Sequence, residues 1–409
     1  MENRFQVLPL EGLVNFKTGK LNSNAAKPDG MFPFFTCSQE TFRTDTWSFD
    51  GEYVLLAGNN AAGIYPLKYF NGKFDAYQRT YAINAIDENA LVTRYVYYAL
   101  RLQLELMKSI STGVATKFLT LSLLNRTQIP VPPLPTQRKI AAILSVYDDL
   151  IENNLRRIKI LEEMAQNLYR EWFTYPFRGT GMPSPKPSPS GRGASGEGSP
   201  RRLVDSTLGP IPEGWEVVPL SSVVDFAKGR KPVGTRNEPI SGDVRLLLID
   251  ALRGGEPQFT APARLVIAGT RDTIMVMDGG SSCEVAQGFS GAVGSTLGRF
   301  RTTKADRFSP HALYRFLEEK VDEFKSKNIG AAIPHANKDY ILTQMVPLPP
   351  QNIALGFHDY LEPIQGTIEI LKTKNTTLRR TRDLLLPRLI SGEVDVSELD
   401  ITVPEEAEE

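Results

Sequence analysis

The chain has 409 residues, enough for two or more domains that each bury a core. Apolar residues make up 41% and aromatics 9%, which fits globular folding and excludes wholesale disorder, and no run of about eighteen apolar residues exists to span a membrane. Net charge is +0, but residues 393–409 carry eight acids and no Lys or Arg, leaving the remaining chain at +8, a balance that suits either a polyphosphate partner or a plain solvated surface.

In chain order, residues 1–135 read as a β-rich domain. Tyr53-Val54-Leu55-Leu56 and Thr80-Tyr81-Ala82-Ile83 are short apolar runs bounded by Gly58-Asn59-Asn60 and Asn71-Gly72, the pattern of strands and turns. Asn71-Gly72 predicts a type I′ hairpin, and residues 91–108 read as helix. Residues 136–177 form a spacer segment. Within it, residues 137–173 hold no Gly or Pro, and Ile140, Leu144, Tyr147, Ile151, Asn154, Ile158, Leu161, Ala165, Leu168 and Trp172 recur in steps of four and three. That pattern predicts a coiled-coil helix, roughly 55 Å long at about 1.5 Å per residue. Residues 178–210, with MPSPKPSPSGRGASGEGSPRR, predict a flexible linker.

A second β-rich domain follows over residues 211–348, with strands expected at 244–252 and 273–277. A helix is expected over 310–326, capped by Ser309 with Pro310 in its first turn. Residues 349–392 predict a second long helix, with Phe357, Leu361, Ile364, Ile368, Leu371, Asn375, Leu378, Arg382 and Leu385 in the same steps. Pro363 predicts a kink or a late start there. Residues 393–409 are the acidic tail.

Two copies of one unit account for this order. Val7-Leu8-Pro9-Leu10 recurs as Val217-Val218-Pro219-Leu220, and Val14-Asn15-Phe16-Lys17-Thr18-Gly19-Lys20 as Val224-Asp225-Phe226-Ala227-Lys228-Gly229-Arg230, both at an offset of 210. Leu134-Pro135-Thr136-Gln137 is similar to Leu348-Pro349-Pro350-Gln351, and Ile158-Lys159-Ile160-Leu161 to Ile368-Glu369-Ile370-Leu371. Such a long period is domain duplication, which predicts an α+β fold: two duplicated α/β domains separated by two long antiparallel coiled-coil helices, with a pseudo-twofold axis. Antiparallel pairing would set Asn154 against Asn375 as a register-fixing pair, flanked by Ile158 with Leu371, Leu161 with Ile368, Ala165 with Ile364, Leu168 with Leu361 and Ile151 with Leu378.

Catalytic signatures are missing. There is no G-x-x-x-x-G-K-[ST] loop, G-x-G-x-x-G turn, G-x-S-x-G elbow or H-E-x-x-H helix, and no Asn/Asp-Pro-Pro-aromatic tetrapeptide. Carboxylate pairs such as Glu162-Glu163 and Glu318-Glu319 fall on polar helix faces. Cys37 and Cys283 lie far apart, read as small core residues and fit a reducing compartment. His311, His335 and His358 stand apart in the sequence, which argues against a structural metal. MENRFQVLPLEG at the N-terminus lacks a signal-peptide core, so a cytoplasmic protein is expected.

The whole chain resembles the specificity subunits of type I restriction–modification enzymes. Gly209-Pro210-Ile211-Pro212-Glu213-Gly214-Trp215 is similar to the start of the second target-recognition domain of that family. Glu163-Met164-Ala165-Gln166-Asn167-Leu168-Tyr169-Arg170-Glu171-Trp172-Phe173 resembles the end of the first spacer helix, and Leu385-Leu386-Pro387-Arg388-Leu389-Ile390-Ser391-Gly392-Glu393 that of the second. Phe70-Asn71-Gly72-Lys73-Phe74-Asp75-Ala76-Tyr77-Gln78-Arg79-Thr80-Tyr81 is similar to a recurring recognition-domain segment, and Pro334-His335-Ala336-Asn337 to a structural turn leading into the spacer helix. The resemblance implies a non-catalytic subunit whose two domains each read half of a split double-stranded DNA target, while the helices set the unread spacer. It implies two methyltransferase subunits that bind S-adenosylmethionine and methylate adenine, so that this subunit needs no cofactor or metal, and motor-nuclease subunits for restriction. The linker departs from the family in length and Pro/Ser content, which argues against tight packing of the first helix on the second domain.

Phosphates are met by Lys, Arg and backbone N–H, and base edges by Arg, Asn, Gln and Lys. The DNA-binding candidates in the first domain are therefore Lys17, Lys20, Asn59, Asn60, Lys73, Gln78 and Arg79. In the second they are the basic loop of Lys228, Arg230, Lys231 and Arg236, then Arg253, Ser281, Ser282, Ser295, Thr296 and Arg299. Two rival readings are a duplicated nuclease or methyltransferase with degenerate motifs, which S-adenosylmethionine binding or DNA cleavage would reveal, and a coiled-coil scaffold with protein-binding modules, which would not bind duplex DNA.

Overall fold

The computed structural model describes residues 4–58, 65–110, 119–174, 203–330 and 333–401. It divides into two compact units, Met1–Asn153 with Thr377–Glu409, and Asn154–Thr376. Residues 402–409 of the acidic tail, residues 175–177 at the end of the expected first spacer and residues 178–202 of the expected linker lie outside the described residues.

Unit 1 contains β1 (Gln6–Pro9), β2 (Val14–Thr18), β3 (Phe32–Phe35), β4 (Phe42–Thr44), β5 (Glu52–Ala57), β6 (Leu67–Asn71), β7 (Asp75–Ala76), β8 (Thr80–Ala85), α1 (Thr93–Ile110), α2 (Leu121–Arg126), β9 (Gln128–Val131) and the first part of α3 (Leu134–Tyr169). The main sheet runs β2-β8-β5-β6, a smaller one runs β4-β3-β7, and β1 pairs with β9. All pairs are antiparallel except β3 with β7. Strand alternation gives β5 two apolar faces. Val54 and Leu56 join a core closed by Tyr95, Val96 and Ala99 of α1 and by Ile140 and Leu144 of α3. Tyr53 and Leu55 face an aromatic cluster of Phe35, Phe49, Phe70 and Phe74, in which Phe49 stacks on Phe74 with centroids 5.0 Å apart.

Unit 2 contains β10 (Leu203–Val204), β11 (Ile211–Pro212), β12 (Glu216–Pro219), β13 (Val224–Lys228), β14 (Val244–Leu247), α4 (Ile249–Leu252), β15 (Gln258–Thr260), β16 (Ile267–Ala268), β17 (Thr273–Val276), β18 (Val285–Ala286), β19 (Gly291–Val293), β20 (Leu297–Thr302), α5 (Pro310–Glu319), α6 (Val321–Ser326), α7 (Lys338–Thr343), β21 (Met345–Leu348) and the first part of α8 (Gln351–Ile390). Its sheets follow the strand order of unit 1, with β16 added at the edge of the smaller sheet: β13-β20-β17-β18, then β15-β14-β19-β16, and β12 with β21. The parallel pair recurs as well, between β14 and β19. The duplication read from the sequence is thus a duplication of strand order. Where unit 1 has its phenylalanine cluster, unit 2 packs Leu247, Ile274, Val276, Val293 and Leu297.

Several local expectations change. The strand expected over 244–252 stops at Leu247 and turns into α4, where the next carbonyl, that of Leu248, accepts from Leu252 N–H within the helix instead of from a neighbouring strand. Ser309 caps α5 as expected, accepting from Ala312 N–H, but the helix breaks at Lys320 before α6. Asn71 stays in β6 opposite Glu52, and only Gly72 has positive φ (+129°), so no type I′ hairpin forms. Cys283 is buried, but Cys37 is only half-buried, its thiol against the Arg79 carbonyl. From Leu203 the chain is already paired with Ile211–Pro212.

The helices run in opposite directions within each unit. In unit 2, Asn154 Nδ2 donates to Asn375 Oδ1 at 2.8 Å, as the register predicts. Ile158, Ile368 and Leu371 pack around them with Leu161 and Ile364. Helix α8 continues through Pro363 instead of starting late. A mid-helix proline costs about 3 kcal/mol, but Leu361, Gln365 and Ile368 are buried on either side of it and hold the segment in place. Tight packing of the first helix on the second domain, doubted from the linker, is present: Ala165, Tyr169 and Phe173 share a core with Trp215 and Phe357. The linker's composition has no bearing on this, because the contact is made by the helix itself.

In unit 1 the seam is ionic. Arg382, nearly buried, donates to Asp148, which also accepts from the Tyr98 hydroxyl at 2.8 Å, and Arg101 pairs with Asp383 at 3.2 Å. Burial and then Asp148 push the Tyr98 phenol well above its ordinary range.

Candidate nucleic-acid interface

Each main sheet gathers polar residues at one edge, for a reason visible in the strand directions. In unit 2 the C-terminal ends of β13 and β17 and the N-terminal ends of β20 and β18 meet there, because Lys228 pairs with Gly298 and Val276 with Leu297. This brings Lys228, Asp278, Ser281, Ser295 and Thr296 onto one rim. Arg253 arrives from α4 and donates to Ser281 Oγ at 2.5 Å and to Glu284 at 2.9 Å. In unit 1 the equivalent rim holds Lys17, Lys20, Gln78 and Arg79, since Lys17 pairs with Ala82 and Gln78 N–H reaches the Leu21 carbonyl.

A glycine fixes the same step in both rims. A Cβ on Gly19 would lie 1.9 Å from the Ala76 carbonyl oxygen, and one on Gly229 would lie 2.1 Å from that of Gly294. Neither position tolerates a side chain, so the Gly-Lys and Gly-Arg pairs seen in the repeat place Lys20 and Arg230 alike. The two rims differ in charge pairing. Lys17, Lys20 and Arg79 are exposed and have no carboxylate partner among the described residues. Lys228 is held by Asp278 at 3.1 Å, and Arg230 donates to the Arg264 carbonyl at 3.1 Å.

Other predicted residues lie elsewhere. Lys73 sits at the opposite end of the unit 1 sheet, its ammonium 4.6 Å from the centroid of Trp47. Arg236 pairs with Asp243 at 3.0 Å. Arg299 lies along β20, donating to Asp225 and to the Ile267 carbonyl. Ser282 is buried and accepts from Asn328. Lys231 is exposed beside the rim. Asn59 and Asn60 lie outside the described residues.

Two rim residues escape the sequence reading. Asp278 pairs with both Lys228 and His335, the latter at 2.8 Å. The Pro334-His335-Ala336-Asn337 turn leads into α7 rather than the spacer helix, with Asn337 Oδ1 accepting from Tyr340 N–H. Its backbone is tied to the rim, Gly279 N–H donating to the Pro334 carbonyl and Ala336 N–H to that of Met277.

The histidines are not all isolated. His311 and His358 stack with centroids 5.8 Å apart, and with Glu362 they form the one cluster with metal-ligating spacing among the described residues, its donor atoms within 4.8 Å of one another. His311 and Glu362 serve each other, whereas His358 Nδ1 is buried with no hydrogen-bond partner among the described residues. His311 faces Gln287 Oε1 through Nδ1 at 2.9 Å and Glu362 through Nε2 at 2.8 Å, while Arg271 pairs with Glu362 and, at 3.3 Å, with Glu369. Burial pushes the His311 imidazole below its ordinary pKa. Through His311 and Glu362 the cluster ties α5 to α8.

No described helix is long and apolar enough to cross a membrane. The sequence profile of the family described as "Type I restriction modification DNA specificity domain" matches twice, over residues 2–163 and 212–380. The chain therefore belongs to that family. It is 28% identical over 230 residues to the type I restriction enzyme EcoDI specificity subunit of Escherichia coli, a match covering 56% of this chain and 50% of that protein. With the MjaIX specificity subunit of Methanocaldococcus jannaschii it shares 24% identity over 331 residues, covering 77% of this chain and 72% of that one. The crystal structure of the type I restriction–modification S subunit from M. genitalium superposes with a TM-score of 0.58 at 15% identity, covering 95% of this chain and 96% of that one, which supports the fold.

Proposed function

We propose that this chain is the DNA-recognition subunit of a type I restriction–modification complex, each unit reading one half of a split double-stranded target. The observation that carries this reading is the recurrence, in both copies of the family unit, of a cation-bearing rim at the same sheet edge. Cations there meet phosphates, and the polar side chains between them reach base edges in the major groove. The chain performs no chemistry. Two methyltransferase subunits bind S-adenosylmethionine and methylate adenine, motor-nuclease subunits add restriction, and the complex works in the cytoplasm. For partner docking, the long helices offer exposed apolar side chains, including Val146, Leu150, Ile160 and Met164 on α3 and Ile370 and Leu384 on α8. Methylome sequencing of the host with and without this gene tests the reading. A two-part adenine-methylated motif with unspecified bases between its halves should vanish on deletion, and an unchanged methylome would refute the proposal.

A further inference from the structure

The rim of unit 2 fixes one side chain with unusual definition. The main chain of His335 exchanges reciprocal hydrogen bonds with Ile329, 2.8 and 2.9 Å long. Gly330, with φ +94°, leaves room for the ring, since a Cβ there would come within 3.0 Å of His335 Cδ2. Nδ1 faces Asp278 Oδ1 at 2.8 Å, and the side chain is 45% exposed. A carboxylate can only accept, so Nδ1 carries the proton, and in the neutral imidazole this leaves Nε2 as a bare acceptor. Among the described residues Nε2 has no hydrogen-bond partner. Gly279 and Gly280 follow Asp278, and no atom comes within 4 Å of where their Cβ atoms would stand, so a duplex meets little side-chain bulk beside the ring.

We propose that His335 reads a base in the half-site of unit 2, its Nε2 accepting a hydrogen bond from an exocyclic amino group in the major groove, adenine N6 or cytosine N4. Asp278 is the positioning residue that fixes the tautomer, and Lys228, held by the same carboxylate, meets the adjacent backbone. In that neutral form Nε2 cannot bond a phosphate oxygen, which separates His335 in kind from its cationic neighbours. This inference rests on the reading that unit 2 binds DNA.

The test uses the complex with its methyltransferase subunits and duplexes in which each target base pair is varied singly. His335→Ala keeps the main-chain bonds and should lower discrimination at a single base pair by about five- to a hundredfold, the usual worth of one base contact. That base pair should carry adenine or cytosine on the strand read, and the wild-type preference between the two tells which amine is bound. Asp278→Asn can donate to Nδ1 and so move the proton to Nε2. It should therefore shift the preference at that base pair towards an acceptor, guanine or the thymine O4, whereas Lys228→Ala should weaken all duplexes alike. Unchanged discrimination in His335→Ala, or an equal loss on every duplex, overturns the inference. A wild-type complex that prefers no duplex at all would instead overturn the parent reading.

Discussion

The two units share strand order yet hold it together with different chemistry. Unit 1 backs its sheet with phenylalanines and closes its helix pair with Arg382 on Asp148. Unit 2 uses aliphatic side chains and an amide pair, Asn154 with Asn375. The rims diverge likewise: among the described residues the unit 1 cations have no carboxylate partner, while those of unit 2 are buttressed by Asp278 and Glu284. What was kept after duplication is what strand pairing demands of the backbone, while side chains that need only fill space or present a charge have drifted. Two readers with one frame and different rims can recognise different words.

The largest effect should come where the copies agree. Gly19→Ala and Gly229→Ala each drive a Cβ into a neighbouring carbonyl and should each cost at least about 3 kcal/mol, seen as a lower thermal midpoint. If one is harmless and the other severe, the backbones are not equivalent. Next come the seams. Arg382→Met leaves the partly buried Asp148 with only the Tyr98 hydroxyl and the more distant Arg101 and should cost about 1–3 kcal/mol. Asn375→Leu, which leaves the Asn154 amide short of a partner, should cost about 1–2 kcal/mol, and Asn154→Leu with Asn375→Leu should recover most of it. A double variant no better than the single would show that the amides do not act as a pair. The smallest effect separates the rims. Lys17→Ala should reduce the salt dependence of DNA binding by about one phosphate contact, and Lys228→Ala by less, because Asp278 already offsets its charge. Equal slopes would erase the distinction.

Features that depend on neighbours along the chain were legible in advance. The offset of 210, the Ser309 cap and the facing of Asn154 and Asn375 all follow from repeat or helical period, and the glycine before each rim cation is printed in the repeat itself. Several expectations failed where a distant segment decides. Lys73 and Gln78, five residues apart, end at opposite ends of one sheet because β6 and β8 both flank β5. His311 and His358 look solitary until α8 packs against α5.

By itself the sequence determined the duplication, the long helices, their register and the family. Periodicity and repetition are written into the order of residues, and burial of an apolar stripe leaves few ways to satisfy them. Only the tertiary structure decided which charges share a rim, that Asp278 grips both Lys228 and His335, and that Arg382 is neutralised by Asp148. Those pairings depend on strand order and helix packing between residues as far as 234 positions apart, and no local pattern encodes them.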